Sequence, residues 1–121
     1  MKKLPDSEFE VMEAVWKLSP PVSTNEITSM IGGDKHWKPQ TILTLLTRLV
    51  EKGFLESSKQ GRERRFSPII SEEEYLQVET KNFMKRHYNN SITQLVNTLY
   101  DGKGLSNKDI DELKEWLNNG G

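Results

Sequence analysis

The chain contains no cysteine, which excludes disulfide scaffolds, thiol nucleophiles, zinc fingers and thiolate copper sites together. Histidine is nearly absent as well: His36 and His87 are too few for a His-rich metal centre. Apolar residues make up only 34% of the 121 positions, and the mean hydropathy is −0.71. No run approaches the roughly 20 apolar residues that span a bilayer. Met1-Lys2-Lys3 is followed by Leu4-Pro5-Asp6-Ser7-Glu8, where a secretory leader needs an apolar stretch. The expectation is a cytoplasmic protein with no membrane partner, metal or cofactor. An excess of one charge is also missing: 17 basic and 18 acidic side chains leave a formal net charge of −1. Taken whole, that balance argues against a basic nucleic-acid coat or a polybasic membrane anchor.

The balance conceals a division along the chain. Residues 1–34 carry −3, residues 35–70 carry +5 and residues 71–121 carry −3. Positive charge is concentrated in the middle third, and an anionic partner responds to the local field rather than to the total.

Apolar spacing predicts the elements. Ser7 and Glu10 form a capping-box pattern ahead of Phe9, Met12, Val15 and Trp16, a first helix over about 7–18 that Pro20-Pro21 ends. Ser23 and Glu26 open a short second helix containing Ile27, Met30 and Ile31, ended by Gly32-Gly33. Pro39 suits the first turn of a third helix. Its stripe of Ile42, Leu45, Leu46, Leu49 and Val50 is closed by Gly53. The period then changes: residues 55–68, with a Gln60-Gly61 turn, read as a β-hairpin. Three helices and a ribbon in this order describe a winged helix-turn-helix. Ser71 and Glu72, Glu73, Glu74 restart helix to about residue 88, Asn89-Asn90 breaks it, and a further helix carries Ile92, Leu95, Val96, Leu99 and Tyr100. Ser106 with Asp109 caps a last helix holding Ile110, Leu113, Trp116 and Leu117.

The fold class is therefore mainly α with a small β-hairpin. It divides into a winged-helix domain over 1–70 and a helical dimerisation domain over 71–121. Fifty-one residues in three helices are too few to bury a stable core alone. The economical solution is a second copy packed around a two-fold axis, with Tyr75, Phe83, Tyr88, Leu95, Val96, Leu99, Leu113, Trp116 and Leu117 at the interface.

With its stripe turned inward, the third helix presents Gln40, Thr41, Thr44, Thr47, Arg48 and Glu51, flanked by Lys38. An amide suits adenine, and threonine offers a hydroxyl and a methyl for base edges in a major groove. Leu43, near that face, either touches a thymine methyl or packs on the hairpin. Lys59, Arg62, Arg64 and Arg65 would reach phosphates beside the groove, or an arginine would enter the minor groove. Their alternation with Glu63 points at least one of them elsewhere, toward Glu63 or Glu56. The expected partner is double-stranded DNA.

The run Trp37-Lys38-Pro39-Gln40-Thr41-Ile42-Leu43-Thr44-Leu45-Leu46-Thr47-Arg48-Leu49, ending in Lys52-Gly53-Phe54, resembles the recognition-helix signature of the BlaI/MecI family of winged-helix repressors, the penicillinase repressor family. Glu8-Phe9-Glu10-Val11-Met12 with Val15-Trp16 resembles that family's first helix, and Ser23-Thr24-Asn25-Glu26-Ile27 its second. Phe83, Tyr88, Leu95-Val96 and Asp109-Ile110-Asp111-Glu112-Leu113 continue the match over about residues 6–117. The resemblance implies a homodimeric repressor on an inverted-repeat operator, often of β-lactam resistance genes. It implies base reading by Gln40, Thr41 and Thr44, a backbone contact by Arg48, and release by a regulatory protease acting near Thr98-Leu99. Three departures stand out. Resistance regulators usually read Ser-Pro-Lys-Thr-Ile-Arg-Thr where this chain has Lys38-Pro39-Gln40-Thr41-Ile42-Leu43-Thr44, so cations are missing at 40 and 43. Their Asn-Phe cleavage dipeptide aligns with Thr98-Leu99. The cysteine motif of copper-responsive relatives is absent.

Two other classes fit less well. A winged-helix adaptor that binds a protein partner without sequence-specific DNA binding would use Leu43. An enzyme would need a placed nucleophile or general base. Glu72, Glu73 and Glu74 are better explained as helix N-terminal charges, His36 has no carboxylate or nucleophile near it by spacing, and His87 sits at a helix C-terminus, where a cation is favourable.

Overall fold

Helix starts in this chain are set by residues that satisfy, or do without, the first unpaired N–H groups. A computed structural model of the protein describes residues 3–32 and 37–120; Gly33 and His36 lie outside the described residues. Helix α1 (Asp6–Lys17) starts after Pro5, whose extended backbone turns the chain into the helix. The Pro5 carbonyl accepts from Phe9 N at 2.9 Å. Ser7 thus lies inside the first turn rather than ahead of it, a correction to the capping pattern read from the sequence.

Strand β1 (Val22–Ser23) leads into helix α2 (Thr24–Ile31), which carries the expected capping box: Ser23 Oγ accepts from Glu26 N and Glu26 Oε1 accepts from Ser23 N. Helix α3 (Pro39–Glu51) begins with Pro39 at its first position. It ends in a Schellman arrangement: Phe54 N donates to Leu49 O, Gly53 N donates to Val50 O, and Gly53 takes φ +83°. Strands β2 (Leu55–Gln60) and β3 (Glu63–Pro68) form the expected hairpin. Gly61, at φ +66°, stands first in its two-residue turn, where a type II′ turn needs a positive φ.

The sheet has three antiparallel strands in the order β1-β3-β2, because Val22 and Ser23 pair with Phe66 and Arg65. Two residues carry no legible period, and β1 was not among the predicted elements. Val11, Met12, Val15, Val22, Ile27, Ile42, Leu46, Leu49, Leu55 and Phe66 form the centre of the core, each at most 1% exposed.

Helix α4 (Glu72–Tyr88) opens on a Ser71–Glu74 box. Helix α5 (Ile92–Asp101) is capped by Ser91, after Asn89 and Asn90 take positive φ. Helix α6 (Asn107–Asn118) is capped by Ser106 and Asp109. The chain divides into two compact units, 1–79 and 80–121. Tyr75 belongs to the first. Its ring lies 5.7 Å from Phe9, 5.9 Å from Trp16 and 5.7 Å from Phe54, and its hydroxyl accepts from Leu4 N at 2.9 Å. Trp16 Nε1 donates to Ile70 O at 3.0 Å beside it. Tyr75 is 3% exposed, so the expectation that it meets a partner chain is corrected: its surface is consumed within its own core. In the second unit Phe83 packs against His87 and Tyr88, while no residue of α5 or α6 is buried.

Candidate nucleic-acid interface

The inward stripe of α3 fixes what its other face offers. Ile42, Leu45, Leu46 and Leu49 are buried, so Gln40, Thr41, Thr44, Arg48 and Glu51 are left exposed, with Lys38 ahead of them. Thr44 Oγ1 donates to Gln40 O at 3.0 Å, and Thr47 Oγ1 to Leu43 O at 2.9 Å. Both hydroxyl protons are spent on the helix backbone, so these threonines retain an acceptor oxygen and a methyl for outside contacts. Leu43 is half-buried and packs against the core, as does Trp37.

The hairpin alternates. Leu55, Ser57 and Lys59 of β2 face the same side as Pro68, Phe66 and Arg64 of β3. Leu55 and Phe66 anchor that face in the core, and farther out Lys59 stands directly opposite Arg64. Like charges placed this way repel, a cost that an anion between them would relieve. Arg64 is held in place: Nη2 donates to Ser57 Oγ at 3.3 Å, and its guanidinium carbon lies 5.4 Å from the Phe66 ring centroid. Arg62, in the turn, is exposed. Among the described residues no carboxylate pairs with Lys38, Arg48, Lys59, Arg62 or Arg64.

Arg65 differs. It is on the opposite face, with Nη1 donating to Pro21 O at 3.3 Å and to Glu26 Oε1 at 3.2 Å, and Nη2 to Glu63 Oε2 at 3.2 Å. Its expected phosphate contact is therefore corrected, since the fork is occupied within the chain. Glu63 is the partner that the charge alternation indicated. Hydrogen bonds from Ser23, then the Arg65 charge, hold the Glu26 carboxyl below the ordinary glutamate range.

Two organising residues escaped the sequence reading. Glu8 is 3% exposed and accepts from Lys52 Nζ at 2.6 Å, joining α1 to the end of α3. Glu26, recognised as a cap, is also the wing's attachment point. Among the described residues no cluster of carboxylates and imidazoles could hold a metal ion, and no helix is long and apolar enough to cross a membrane.

The chain has relatives over most of its length. Residues 4–119 match the profile of one protein family, Penicillinase repressor. A penicillinase repressor of Bacillus licheniformis is 38% identical over 120 residues, covering 97% of this chain and 93% of that one. The methicillin resistance regulatory protein MecI of Staphylococcus aureus (strain N315) is 32% identical over 116 residues, covering 96% and 94%. The solution structure of monomeric Bacillus licheniformis BlaI in complex with the blaP half-operator aligns with a TM-score of 0.51 at 39% identity, covering 61% of this chain and 89% of that one.

Proposed function

The chain belongs to the penicillinase repressor family, and from that premise we propose that it is a homodimeric transcriptional repressor of an inverted-repeat operator. It is a DNA-binding regulator and not an enzyme. Helix α3 enters the major groove with Gln40, Thr41 and Thr44 toward base edges, and Lys38 and Arg48 toward the backbone. Lys59, Arg62 and Arg64 on the wing meet flanking phosphates. The observation that carries this reading is that five cations with no carboxylate partner among the described residues and the exposed polar face of α3 lie on the same winged-helix unit. Relatives named for penicillinase and methicillin resistance make β-lactam resistance genes the proposed targets. The adaptor alternative loses its support, because Leu43 packs against the core.

Dimerisation belongs to the same proposal. Helices α5 and α6 are amphipathic, yet Ile92, Leu99, Tyr100, Leu113, Trp116 and Leu117 are each more than 40% exposed in the single chain. A second copy would cover them and place two recognition helices on the two halves of the repeat. Thr98-Leu99 lies inside α5, with Thr98 Oγ1 bonded to Gln94 O at 2.9 Å. A regulatory protease acting there would first have to unwind that helix.

The test is the affinity of the full chain for an inverted repeat from upstream of its own gene, measured by fluorescence anisotropy at rising salt. Five phosphate contacts per protomer predict a log–log slope of about −4.5 per half-site. Binding indifferent to salt, or equal on a scrambled duplex, would refute the reading.

A further inference from the structure

Arg65 interrupts an otherwise exposed basic hairpin. Only 26% of its side chain is exposed, its fork reaches three acceptors, and among the described residues its buried Nε has no hydrogen-bond partner. A cation kept for phosphates has no reason to be desolvated with one N–H unsatisfied. The three acceptors lie on three segments: Pro21 before β1, Glu26 in the first turn of α2, and Glu63 at the start of β3. Glu26 Oε1 also accepts from Ser23 N at 3.2 Å and Ser23 Oγ at 3.1 Å. Ser23 in turn pairs with Arg65 in the sheet. One carboxylate oxygen therefore joins the N-terminus of α2, strand β1 and the wing.

Beyond the β1–β3 pairing and two core side chains at its base, nothing else among the described residues fixes the outer hairpin to the rest of the unit. Leu55 and Phe66 are its buried residues, and every residue from Glu56 to Arg64 is exposed. We infer that Arg65 is a positioning residue: with Glu26 and Glu63 it locks the wing against the start of α2, and so sets where Lys59, Arg62 and Arg64 meet the operator backbone. The inference rests on the operator-binding reading above. Ion pairs whose carboxylates are 43% and 47% exposed contribute little to stability, so the use of this network is geometric. Arginine suits it because its planar fork serves several acceptors at fixed angles, which a lysine ammonium does not.

The experiment compares the full-length wild type with Arg65→Gln, Glu26→Gln, their double variant and Arg64→Ala. Each is measured for operator affinity across salt and for backbone ¹⁵N relaxation of wing amides without DNA. Arg64→Ala should lower affinity and flatten the salt slope by about one, as a lost phosphate contact does. Arg65→Gln should lower affinity about tenfold, the scale of coupling within one hydrogen-bond network, with the slope unchanged and residues 58–64 newly mobile against α2. Glu26→Gln keeps an acceptor for the cap and removes the charge facing Arg65. It should act in the same direction, and the double variant should be no worse than Arg65→Gln. A slope flattened by one in Arg65→Gln would make Arg65 a phosphate contact and overturn the inference, as would unaltered wing relaxation. If the wild type ignores the operator, the repressor reading fails, and the relaxation data decide the clamp separately.

Discussion

Lys52 Nζ stands 2.6 Å from Glu8 Oε1, closing a contact across 44 residues between the first helix and the residue that caps α3. The two ends are unequal: the Glu8 side chain is 4% exposed and that of Lys52 42%. Removing either partner breaks the pair, but only one removal strands a buried charge. Lys52→Met should cost about 2 kcal/mol, in the range for a buried charged group left without its hydrogen bond. Glu8→Gln, which frees Lys52 to water, should cost less. Urea midpoints of the two variants check the order; equal losses would show that the carboxylate is not the costly half.

Tyr75 supplies a prediction at alkaline pH. Burial raises its phenol above the ordinary value of 10.0, outweighing the hydrogen bond from Leu4 N, and Glu79 raises it further. The unfolded chain then loses the phenolic proton at lower pH than the folded one. Stability from this group is complete below about pH 10 and declines as pH rises toward the folded value. Tyr75→Phe should lose about 1 kcal/mol at neutral pH, one hydrogen bond's worth. From pH 9 to 11 its stability should fall less steeply than that of the wild type. Parallel curves for the two proteins would exclude the titration.

Much of this could be read from the chain, and what could not has identifiable causes. The α3 stripe, the Pro39 start and the Gly53 stop each rest on neighbours within a turn or two, so local pattern and fold agree. Tyr75 was misassigned because an aromatic on a helix shows that it is buried, not against what; Phe9, Trp16 and Phe54 are 21 to 66 residues away. Arg65 was misassigned for the same reason. Its alternation with Glu63 was visible, whereas Glu26 and Pro21 reach it only through the β1–β3 pairing. Strand β1 has too few residues for a period, and that pairing could not be anticipated.

Glu26 offers a direct check of the cap and clamp. Bonds from Ser23 are the larger cause of its lowered pKa, ahead of Arg65. In an NMR titration Glu26 should therefore stay ionised to lower pH than an ordinary glutamate, and its pKa should rise both in Ser23→Ala, which removes the hydroxyl bond but keeps the backbone one, and in Arg65→Gln, which removes the facing charge. Because the folded pKa is depressed, the stability it carries is present above the unfolded value and is lost as pH falls through the folded one. A pKa unchanged in Ser23→Ala would exclude the hydroxyl from that support, and one unchanged in Arg65→Gln would exclude the guanidinium.

Gln40 should carry base discrimination without contributing to the electrostatic part of binding. It is exposed in the first turn of α3, and the Thr44 hydroxyl bonded to its carbonyl leaves the Thr44 methyl and oxygen for a base edge. A glutamine amide can form two hydrogen bonds with adenine, worth about 1–3 kcal/mol of discrimination. Gln40→Ala should relax the preference at one A·T pair per half-site by that amount and leave the salt slope unchanged, since no charge is removed. Competition among single-base operator variants reads this out. A uniform loss of affinity across all variants would assign Gln40 to the backbone instead.

The exposed apolar faces of α5 and α6 give the last prediction. Trp116 is 60% and Leu117 65% exposed, on a helix with no buried residue. Large side chains left this bare in one chain and aligned at helical spacing call for a covering surface, and a second copy provides one without another gene product. Sedimentation equilibrium of the full chain should therefore return twice the 14.0 kDa chain mass at micromolar concentration. Trp116→Glu with Leu117→Asp should return the chain mass while leaving the circular dichroism of the winged helix intact. Both proteins should bind an isolated half-site equally, because α3 and the wing are untouched. On the full inverted repeat only the wild type should gain, since linking two half-site contacts raises apparent affinity by about 10²–10⁴. A wild-type chain that sediments as a monomer, or a double variant that keeps the full-repeat advantage, would remove α6 from the interface.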